Sequence, residues 1–169
     1  MSEPAASITL PIASRDEMMG LAELLGAELR AGDLLLLEGD LGAGKTTFVQ
    51  GLARGMGLTA AVKSPTFTLV HEYRAIGRAG LGHLDLYRMP EGRDLGDLGL
   101  DDLLARGAVA VEWGGRLFAV EPEALLLTIK GPGPGESLEQ RVVTLGCRGD
   151  RARALADAAA AWSASPPAP

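Results

Sequence analysis

The chain has 169 residues, of which 47% are hydrophobic and 22% are charged, a size and composition that suit one domain with a buried core. Its 22 acidic and 16 basic residues give a net charge of −6, which argues against a protein that holds nucleic acid directly through phosphate contacts. No apolar run approaches a membrane span, the N-terminus lacks a signal-peptide pattern, and the single cysteine, Cys147, cannot form an internal disulfide. We therefore expect a cytoplasmic protein that does not engage a membrane.

The first third of the chain reads as two strands that alternate with two helices. "SITLPI" predicts a short strand, and Ser14 then opens a helix with Glu17 three residues later as a capping box. Gly32 is the expected stop of this helix, and "DLLLLEG" is an apolar run without alternation, typical of a central strand buried on both faces. The following helix is expected to end near Gly57. The apolar stripes of the two helices are Met18, Leu21, Leu25 and Leu29, and Phe48, Leu52 and Met56.

The rest of the chain predicts further strands and a closing helix. "TFTLVHEYR" and "LGHLDLYR" flank "AIGRAG" and predict a hairpin, whereas "RDLGDLGLDDLLARG" predicts one or two short helical pieces because glycines interrupt it. "AVAVEW", "ALLLTI" and "RVVTLG" predict three strands, with the turn-rich loop "KGPGPGES" before the last. Asp150 is expected to cap an alanine-rich helix that ends near Trp162. The predicted domain therefore covers residues 1–162, and residues 163–169 are expected to form a disordered tail.

The stretch "EGDLGAGKTTF" carries the strongest chemical signal. Gly39-x4-Gly44-Lys45-Thr46 fits the phosphate-binding loop G-x4-G-K-[ST], between a predicted buried strand and a predicted helix, as the mechanism requires. Glycines let backbone N–H groups surround an anion, and the helix N-terminus adds partial positive charge. Lys45 is expected to reach the β- and γ-phosphates, and the Thr46 hydroxyl to ligate Mg²⁺. The expected nucleotide contacts are Asp40, Leu41, Gly42, Ala43, Gly44, Lys45, Thr46 and Thr47.

A bound Mg²⁺ needs a second anchor, usually an acid at the end of a neighbouring strand. Glu112 ends "AVAVE" and is the favoured candidate, whereas the pattern leaves Asp85, in "HLD", open between a site acid and a solvated strand end. "VKSPTFT", stiffened by Pro65, offers hydroxyls that could sense a γ-phosphate or could simply begin a strand. His71 and His83 have no second ligand at metal spacing, so we expect them to pack or to form hydrogen bonds rather than to hold zinc.

The remaining sequence narrows the class of nucleotide enzyme. The chain contains no asparagine, so it cannot carry the usual guanine-reading loop of a GTPase, and it lacks the signature of a transporter-type ATPase. A small-molecule kinase needs an arginine-bearing lid over the phosphates, and residues 88–107 offer Arg88, Arg93 and Arg106. No arginine stands at an obvious position to neutralise the γ-phosphate, with Arg88 the best internal candidate. A partner is therefore expected to complete the site of a protein that is a weak ATPase alone.

"GDLGAGKTTF", "SPTFTLVHEY", "HLDLYR" and "VEWGGR" follow one another between Gly39 and Arg116. This ordered set closely resembles the bacterial TsaE (YjeE) family, the ATPase of the tRNA threonylcarbamoyladenosine system, and the resemblance covers nearly the whole chain. It implies a single α/β P-loop NTPase domain, with a mixed β-sheet flanked by helices, that binds and slowly hydrolyses ATP with Mg²⁺. It also implies a complex with the TsaB and TsaD proteins, of which TsaD transfers the threonylcarbamoyl group, and contact with tRNA only within that complex.

The resemblance also implies roles for individual residues. Lys45, Asp85 and Glu112 look like the catalytic set, Thr46 and Glu112 look like the Mg²⁺ ligands, and Asp85 either positions water or touches the phosphates. Ser14 lies where the family reaches the adenine. The alanine-rich C-terminal extension departs from the family. Two alternatives remain, namely a small-molecule P-loop kinase, which would phosphorylate a metabolite, and a nucleotide-sensing adaptor, which would bind ATP without turnover.

Overall fold

The computed structural model describes residues 6–65, 68–90, 95–121 and 123–165. Seven strands form one sheet in the order β1-β7-β6-β2-β5-β4-β3. The strands are β1 Ala6–Ile12, β2 Leu34–Glu38, β3 Val70–Tyr73, β4 Gly80–Asp85, β5 Gly107–Glu112, β6 Ala124–Lys130 and β7 Arg141–Cys147. The helices are α1 Arg15–Glu28, α2 Lys45–Gly55, α3 Leu100–Arg106 and α4 Gly149–Ala164, and short 3-10 turns cover Leu95–Leu98 and Gly115–Ala119.

The centre of the sheet is parallel and its margins are antiparallel. Strands β6, β2, β5 and β4 run in the same direction, whereas β7 and β1 on one side and β3 on the other run against their neighbours. Parallel strands end at the same edge of a sheet, where ligands of open α/β folds bind. In this register Asp85 of β4 pairs with Glu112 of β5, and Leu37 of β2 pairs with Glu112 on its other side. The predicted mixed α/β fold is therefore confirmed.

The "LLLL" run of β2 divides the core between the two faces of the sheet. Leu35 and Leu37 pack into the larger core with residues of α1, α2 and α4. Leu34 and Leu36 pack into the smaller core on the other face with residues of α3. Because side chains alternate along a strand and helices cover both faces, each of these leucines is buried. The prediction of a central strand without polar alternation is thus confirmed.

Most local predictions are confirmed, including the β3–β4 hairpin and the interrupted helix before β5. The capping box of α1 is present in a shifted form. The Ser14 hydroxyl accepts the N–H of Glu17 at 3.2 Å, and the Glu17 carboxylate accepts the N–H of Ala13, one residue before the cap, at 2.6 Å. The helix ends at Glu28 rather than at Gly32, which instead lies in the following turn with φ +94°.

The C-terminal helix corrects two predictions. Asp150 lies in the first turn of α4 and not at its cap, because the helix begins at Gly149, and the cap residue Arg148 makes no side-chain capping bond. An acid in the first turn still interacts favourably with the helix dipole. The helix continues to Ala164, beyond the predicted end near Trp162, in keeping with its alanine content. Residues 166–169 of the predicted tail lie outside the described residues.

Two further expectations concern the cysteine and the membrane. Cys147 is buried at the end of β7, as a small core residue is expected to be. Within residues 6–65, 68–90, 95–121 and 123–165, no helix has the length and apolarity that a membrane span needs.

Candidate functional site

The glycine loop connects β2 to α2 and closes on itself. Gly39 has φ +151°, and a Cβ there would overlap the carbonyl oxygen of Ile129 in β6, so no larger residue fits. Gly44 caps α2 with φ +113°, a conformation that residues with a Cβ rarely adopt. The N–H of Ala43 donates to the carbonyl of Asp40 at 3.0 Å. This backbone leads directly into the N-terminus of α2, where anions bind in other phosphate loops.

Lys45 is the buried cation of the loop, with only 5% of its surface exposed. Its Nζ donates to the carbonyls of Gly39 at 2.5 Å and Asp40 at 3.0 Å. The indole of Trp113 lies 4.0 Å from the ammonium, a cation–π contact. Burial lowers the pKa of Lys45, and the nearby carboxylates, Glu112 foremost, oppose that shift. The ammonium therefore lies at the centre of the loop with acceptors and an aromatic face around it.

Glu112 joins three elements through one oxygen atom. It ends β5 and is 3% exposed. Its Oε1 accepts the hydroxyl proton of Thr46, at the start of α2, at 2.8 Å, and it lies 2.8 Å from Nε2 of His83 in β4. Because the proton of Thr46 points to Glu112, the lone pairs of the hydroxyl oxygen remain for a cation. The two residues predicted to ligate Mg²⁺ are thus in direct contact.

Asp85 receives hydrogen bonds from two loops. Its Oδ2 accepts the hydroxyl of Ser64 at 3.0 Å, and its Oδ1 accepts the N–H of Tyr87 at 3.0 Å. Its own N–H donates to the carbonyl of Leu69, a residue with φ +60°. The segment between α2 and β3 is therefore tied to the end of β4 at two points. Thr66 of the predicted sensing segment lies outside the described residues.

These residues enclose a cavity of about 290 Å³ at the carboxyl ends of the parallel strands. Of the predicted nucleotide and catalytic residues, Ser14, Asp40 and Ala43 do not line it, although the carbonyl of Asp40 accepts a bond from Lys45. The structure brings the other predicted loop residues together with both predicted acids. The cavity is lined by Leu41, Gly42, Gly44, Lys45, Thr46, Thr47, Ser64, Asp85, Tyr87, Glu112 and Trp113.

Ser14 lies at a second cavity, of about 200 Å³, on the other side of the loop. Gly42, Gly44 and Thr47 line both cavities, so the two adjoin across the loop. The Ser14 hydroxyl is already engaged in capping α1. The position thus borders the loop, as the resemblance implies for the adenine end of the nucleotide, and contact with a base remains a prediction.

Two residues at these cavities were not selected from the sequence. Tyr87 packs its ring 4.9 Å from the ring of Trp113, and its position two residues after Asp85 in "DLY" was an available signal. Arg141 of β7 donates from Nε to the carbonyl of Ala43 at 2.9 Å and so holds the loop from the side. No sequence pattern pointed to Arg141, because 97 residues separate the bonded partners along the chain.

The donor set fits Mg²⁺ better than a transition metal. Hydroxyl and carboxylate oxygens of Thr46 and Glu112 meet at one point, and Mg²⁺ is typically bound through one or two carboxylates, waters and substrate phosphates. Within the described parts of the chain, no group of three or more His, Cys, Asp or Glu side chains could hold a metal ion. His71 and His83 instead form hydrogen-bond contacts to Tyr73 and Glu112, as expected of these residues.

Arg88 and Arg106, two of the arginines proposed for a lid, lie far from each other in the structure. Arg106 ends α3 just before β5 begins and forms an ion pair with Glu72 at 3.0 Å. The site lies at the other end of β5, about 20 Å away for a six-residue strand. Arg88 is exposed and lines a small cavity beside the site with Asp85 and Tyr87, whereas Arg93 lies outside the described residues. Arg106 is therefore not a lid residue in this structure.

Comparison with known proteins gives a consistent result. The family model described as "Threonylcarbamoyl adenosine biosynthesis protein TsaE" matches residues 12–139. A TsaE protein of Bacillus subtilis is 42% identical over 144 residues, which cover 84% of this chain and 87% of that relative. A Nostoc TsaE protein is 40% identical over 141 residues, covering 80% and 85%. The crystal structure of Bacillus subtilis YdiB superposes with a TM-score of 0.75 at 33% identity, covering 95% of this chain and 98% of that one.

The sheet, the glycine loop and the likeness to YdiB define a single α/β domain of the P-loop NTPase fold. The family model covers well over half of the chain. The chain belongs to the TsaE family of tRNA threonylcarbamoyladenosine biosynthesis proteins.

Proposed function

We propose that this protein binds and hydrolyses ATP with Mg²⁺ and couples that turnover to the TsaB–TsaD complex of tRNA N6-threonylcarbamoyladenosine synthesis. The observation that carries the proposal is the 2.8 Å bond between Thr46 and Glu112, beside the buried ammonium of Lys45. This arrangement joins a phosphate loop, a cation and an oxygen donor pair in one cavity. An ordinary glycine turn with an exposed lysine would have none of these contacts.

Phosphate binding would engage the loop backbone and Lys45. The N–H groups at the start of α2 and in the glycine loop offer donors to the phosphate oxygens. Lys45 holds the carbonyls of Gly39 and Asp40, and we expect it to exchange at least one of these acceptors for a phosphate oxygen. An anion close to the ammonium offsets the burial that lowers the pKa of Lys45.

Thr46 and Glu112 would hold the metal, Thr46 through its hydroxyl oxygen and Glu112 directly or through water. A metal held by these two residues would supply positive charge that offsets the charge developing on the phosphates. Asp85, which holds Ser64 and the backbone of Tyr87, is suited to orient the attacking water or to contact the phosphates. Arg88 is the internal candidate for a charge-neutralising group, and otherwise a partner supplies it.

The proposed partners are the TsaB and TsaD proteins, with tRNA met only inside their complex. The net charge of −6 suits a protein that binds other proteins and lets them hold the tRNA. The bond from Ser64 to Asp85 supports a route from the nucleotide to the surface, because it ties the segment after α2 to a proposed site acid. A partner docked on that segment would thereby respond to ATP hydrolysis.

The test combines the purified protein with TsaB, TsaD and substrate tRNA, and measures ATP hydrolysis and tRNA modification. We expect slow hydrolysis by the protein alone, faster hydrolysis with both partners, and modification that depends on all three proteins. Phosphate transfer to a metabolite would favour a small-molecule kinase. ATP binding without turnover, alone or with partners, would favour a nucleotide-sensing adaptor.

Nucleotide binding has its own optical readout, because the indole of Trp113 lies 4.0 Å from the Lys45 ammonium. The chain has two tryptophans, so the Trp162→Phe variant isolates the Trp113 signal. We expect this fluorescence to change when ATP and Mg²⁺ are added. If the Trp113 fluorescence does not change when nucleotide is added, the result would count against phosphates bound beside Lys45 and Trp113.

A further inference from the structure

His83 is a buried polar side chain that has no role in the reaction proposed above. It lies in the middle of β4 and is 0% exposed. Its Nε2 lies 2.8 Å from Oε1 of Glu112 on the adjacent strand. His83 and Asp85 are two residues apart, so both side chains project from the same face of the strand. His83 therefore lies behind the site, two residues deeper in the sheet than the acids that line the cavity.

The surroundings of the other ring nitrogen, Nδ1, indicate that Nε2 donates the hydrogen bond to Glu112. Nδ1 is buried and has no hydrogen-bond partner among the described residues. An unpaired N–H in such a position costs about 1–3 kcal/mol, so the proton belongs on Nε2, where the carboxylate of Glu112 accepts it. The ring therefore donates from Nε2 to Oε1 of Glu112.

The bond from His83 restricts the orientation of Glu112. Oε1 accepts from His83 on one side and from Thr46 on the other. Two donors of fixed position on one oxygen define the plane of the carboxylate, and Oε2 remains for another contact. A carboxylate held in this way needs no reorganisation when a cation or its water arrives, which is how outer-shell partners raise metal affinity.

We propose that His83 is a positioning residue that holds the Glu112 carboxylate in the orientation that binds Mg²⁺ with the nucleotide. This inference rests on the proposed function, because it requires that Glu112 and Thr46 bind the metal. His83 contacts neither nucleotide nor metal, and its effect passes through Glu112 alone. A role in packing alone would not require a donor at the Nε2 position.

The test measures ADP binding by calorimetry, first in EDTA and then over a series of Mg²⁺ concentrations. His83→Leu removes the donor, whereas His83→Gln places an amide nitrogen close to the position of Nε2. We expect the half-saturating Mg²⁺ concentration to rise about tenfold or more in His83→Leu, the range for loss of an outer-shell partner. We expect near-native Mg²⁺ dependence in His83→Gln, and unchanged ADP affinity in EDTA for both variants.

His71 offers a matched control. It is the only other histidine, it pairs with His83 across the β3–β4 hairpin, and its Nδ1 contacts the Tyr73 hydroxyl rather than Glu112. His71→Leu is expected to keep the native Mg²⁺ dependence. A folded His83→Leu protein with native Mg²⁺ dependence would overturn the positioning role alone. Native protein whose ADP binding ignores Mg²⁺ would overturn the proposed metal site as well.

If His83→Leu does not fold, a spectroscopic measurement on the native protein tests the positioning role of His83. In ¹⁵N-labelled native protein, with His71→Leu used to assign the signals, we expect His83 to carry a proton on Nε2. Addition of Mg²⁺ to the ADP-bound protein should shift the Nε2 signal, because the acceptor Glu112 then interacts with a cation. The absence of a proton on Nε2, or an Nε2 signal indifferent to Mg²⁺, would refute the proposal.

Discussion

Lys45 and Trp113 illustrate how single residues are held at the candidate site. Trp113 has φ +58°, which is unusual for a residue with a large side chain and is typical of functional positions. This conformation follows directly after β5 and brings the indole over the ammonium of Lys45. The N–H of Gly115 donates to the carboxylate of Glu38 at 2.9 Å and holds the turn that follows. The cation of the loop is thus oriented by aromatic and backbone contacts.

Replacement of Lys45 tests the proposed role of this residue in ATP turnover. Lys45→Ala is expected to abolish ATP turnover, because the ammonium is the loop's only side-chain cation and would stabilise charge on the β- and γ-phosphates. The fold should persist, since the side chain lines the cavity rather than the apolar core. Phosphate release and circular dichroism measure the two effects. Lys130→Ala, at an exposed strand end, is the control, and normal turnover in Lys45→Ala would contradict the phosphate-loop assignment.

At the scale of elements, an ion pair joins α4 to the residue that precedes β2, in addition to the apolar packing of the helix. Arg151 donates from Nε and Nη2 to the two oxygens of Asp33, at 2.9 and 2.8 Å, just before β2. Asp33 also accepts the N–H of Arg30 at 2.9 Å. The Asp33 side chain is 3% exposed, and the pair raises the pKa of Arg151. The contact ties the C-terminal helix to the strand that precedes the phosphate loop.

Loss of this pair should be costly because it leaves a buried carboxylate without its counter-ion. Arg151→Ala is expected to lower the free energy of unfolding by about 3 kcal/mol, the range for breaking a buried pair. Urea denaturation followed by circular dichroism measures the change. Arg153→Ala, exposed on the same helix, should lie within about 0.5 kcal/mol of the native protein. Equal stabilities of the two variants would show that the pair contributes nothing.

At the scale of the whole molecule, the site and the segment after α2 lie on one continuous surface. Leu41 of the loop and Tyr87 are 72% and 52% exposed, and both line a cavity with Ser64 and Asp85 beside the predicted phosphates. Exposed apolar groups at the mouth of a nucleotide site would change their surroundings when the γ-phosphate is lost. This face is therefore where a partner could distinguish ATP from ADP.

The corresponding prediction is that ATP favours docking onto the TsaB–TsaD complex and that hydrolysis weakens it. Binding of the protein to immobilised TsaB–TsaD, compared in a non-hydrolysable ATP analogue and in ADP, measures the difference. Ser64→Ala removes the bond to Asp85. We expect this variant still to bind nucleotide, but to show a smaller difference between its affinities for TsaB–TsaD in the ATP analogue and in ADP. Equal affinity in both nucleotides would remove the coupling mechanism and favour a stand-alone ATPase or a kinase.

Local chemistry was enough to determine much of this protein from its sequence. The buried strand, the phosphate loop and the β3–β4 hairpin each follow from residues close together in the chain, such as the four leucines before Glu38 or the glycines before Lys45. The ends of helices were less exact, as at Asp150 and Gly32, because neighbouring turns compete closely in energy at a helix terminus. Glu112 and Asp85 could be selected because acids follow apolar runs at strand ends.

Only the tertiary structure decided which of the distant candidates meet. The pairing of β4 with β5 brings His83 to Glu112 and sets Asp85 beside it. Arg141 reaches the loop only because β7 and β6 lie on the same side of β2. Contacts of this kind depend on strand order and register, which are set by the packing of the whole sheet. A local residue pattern does not contain that information.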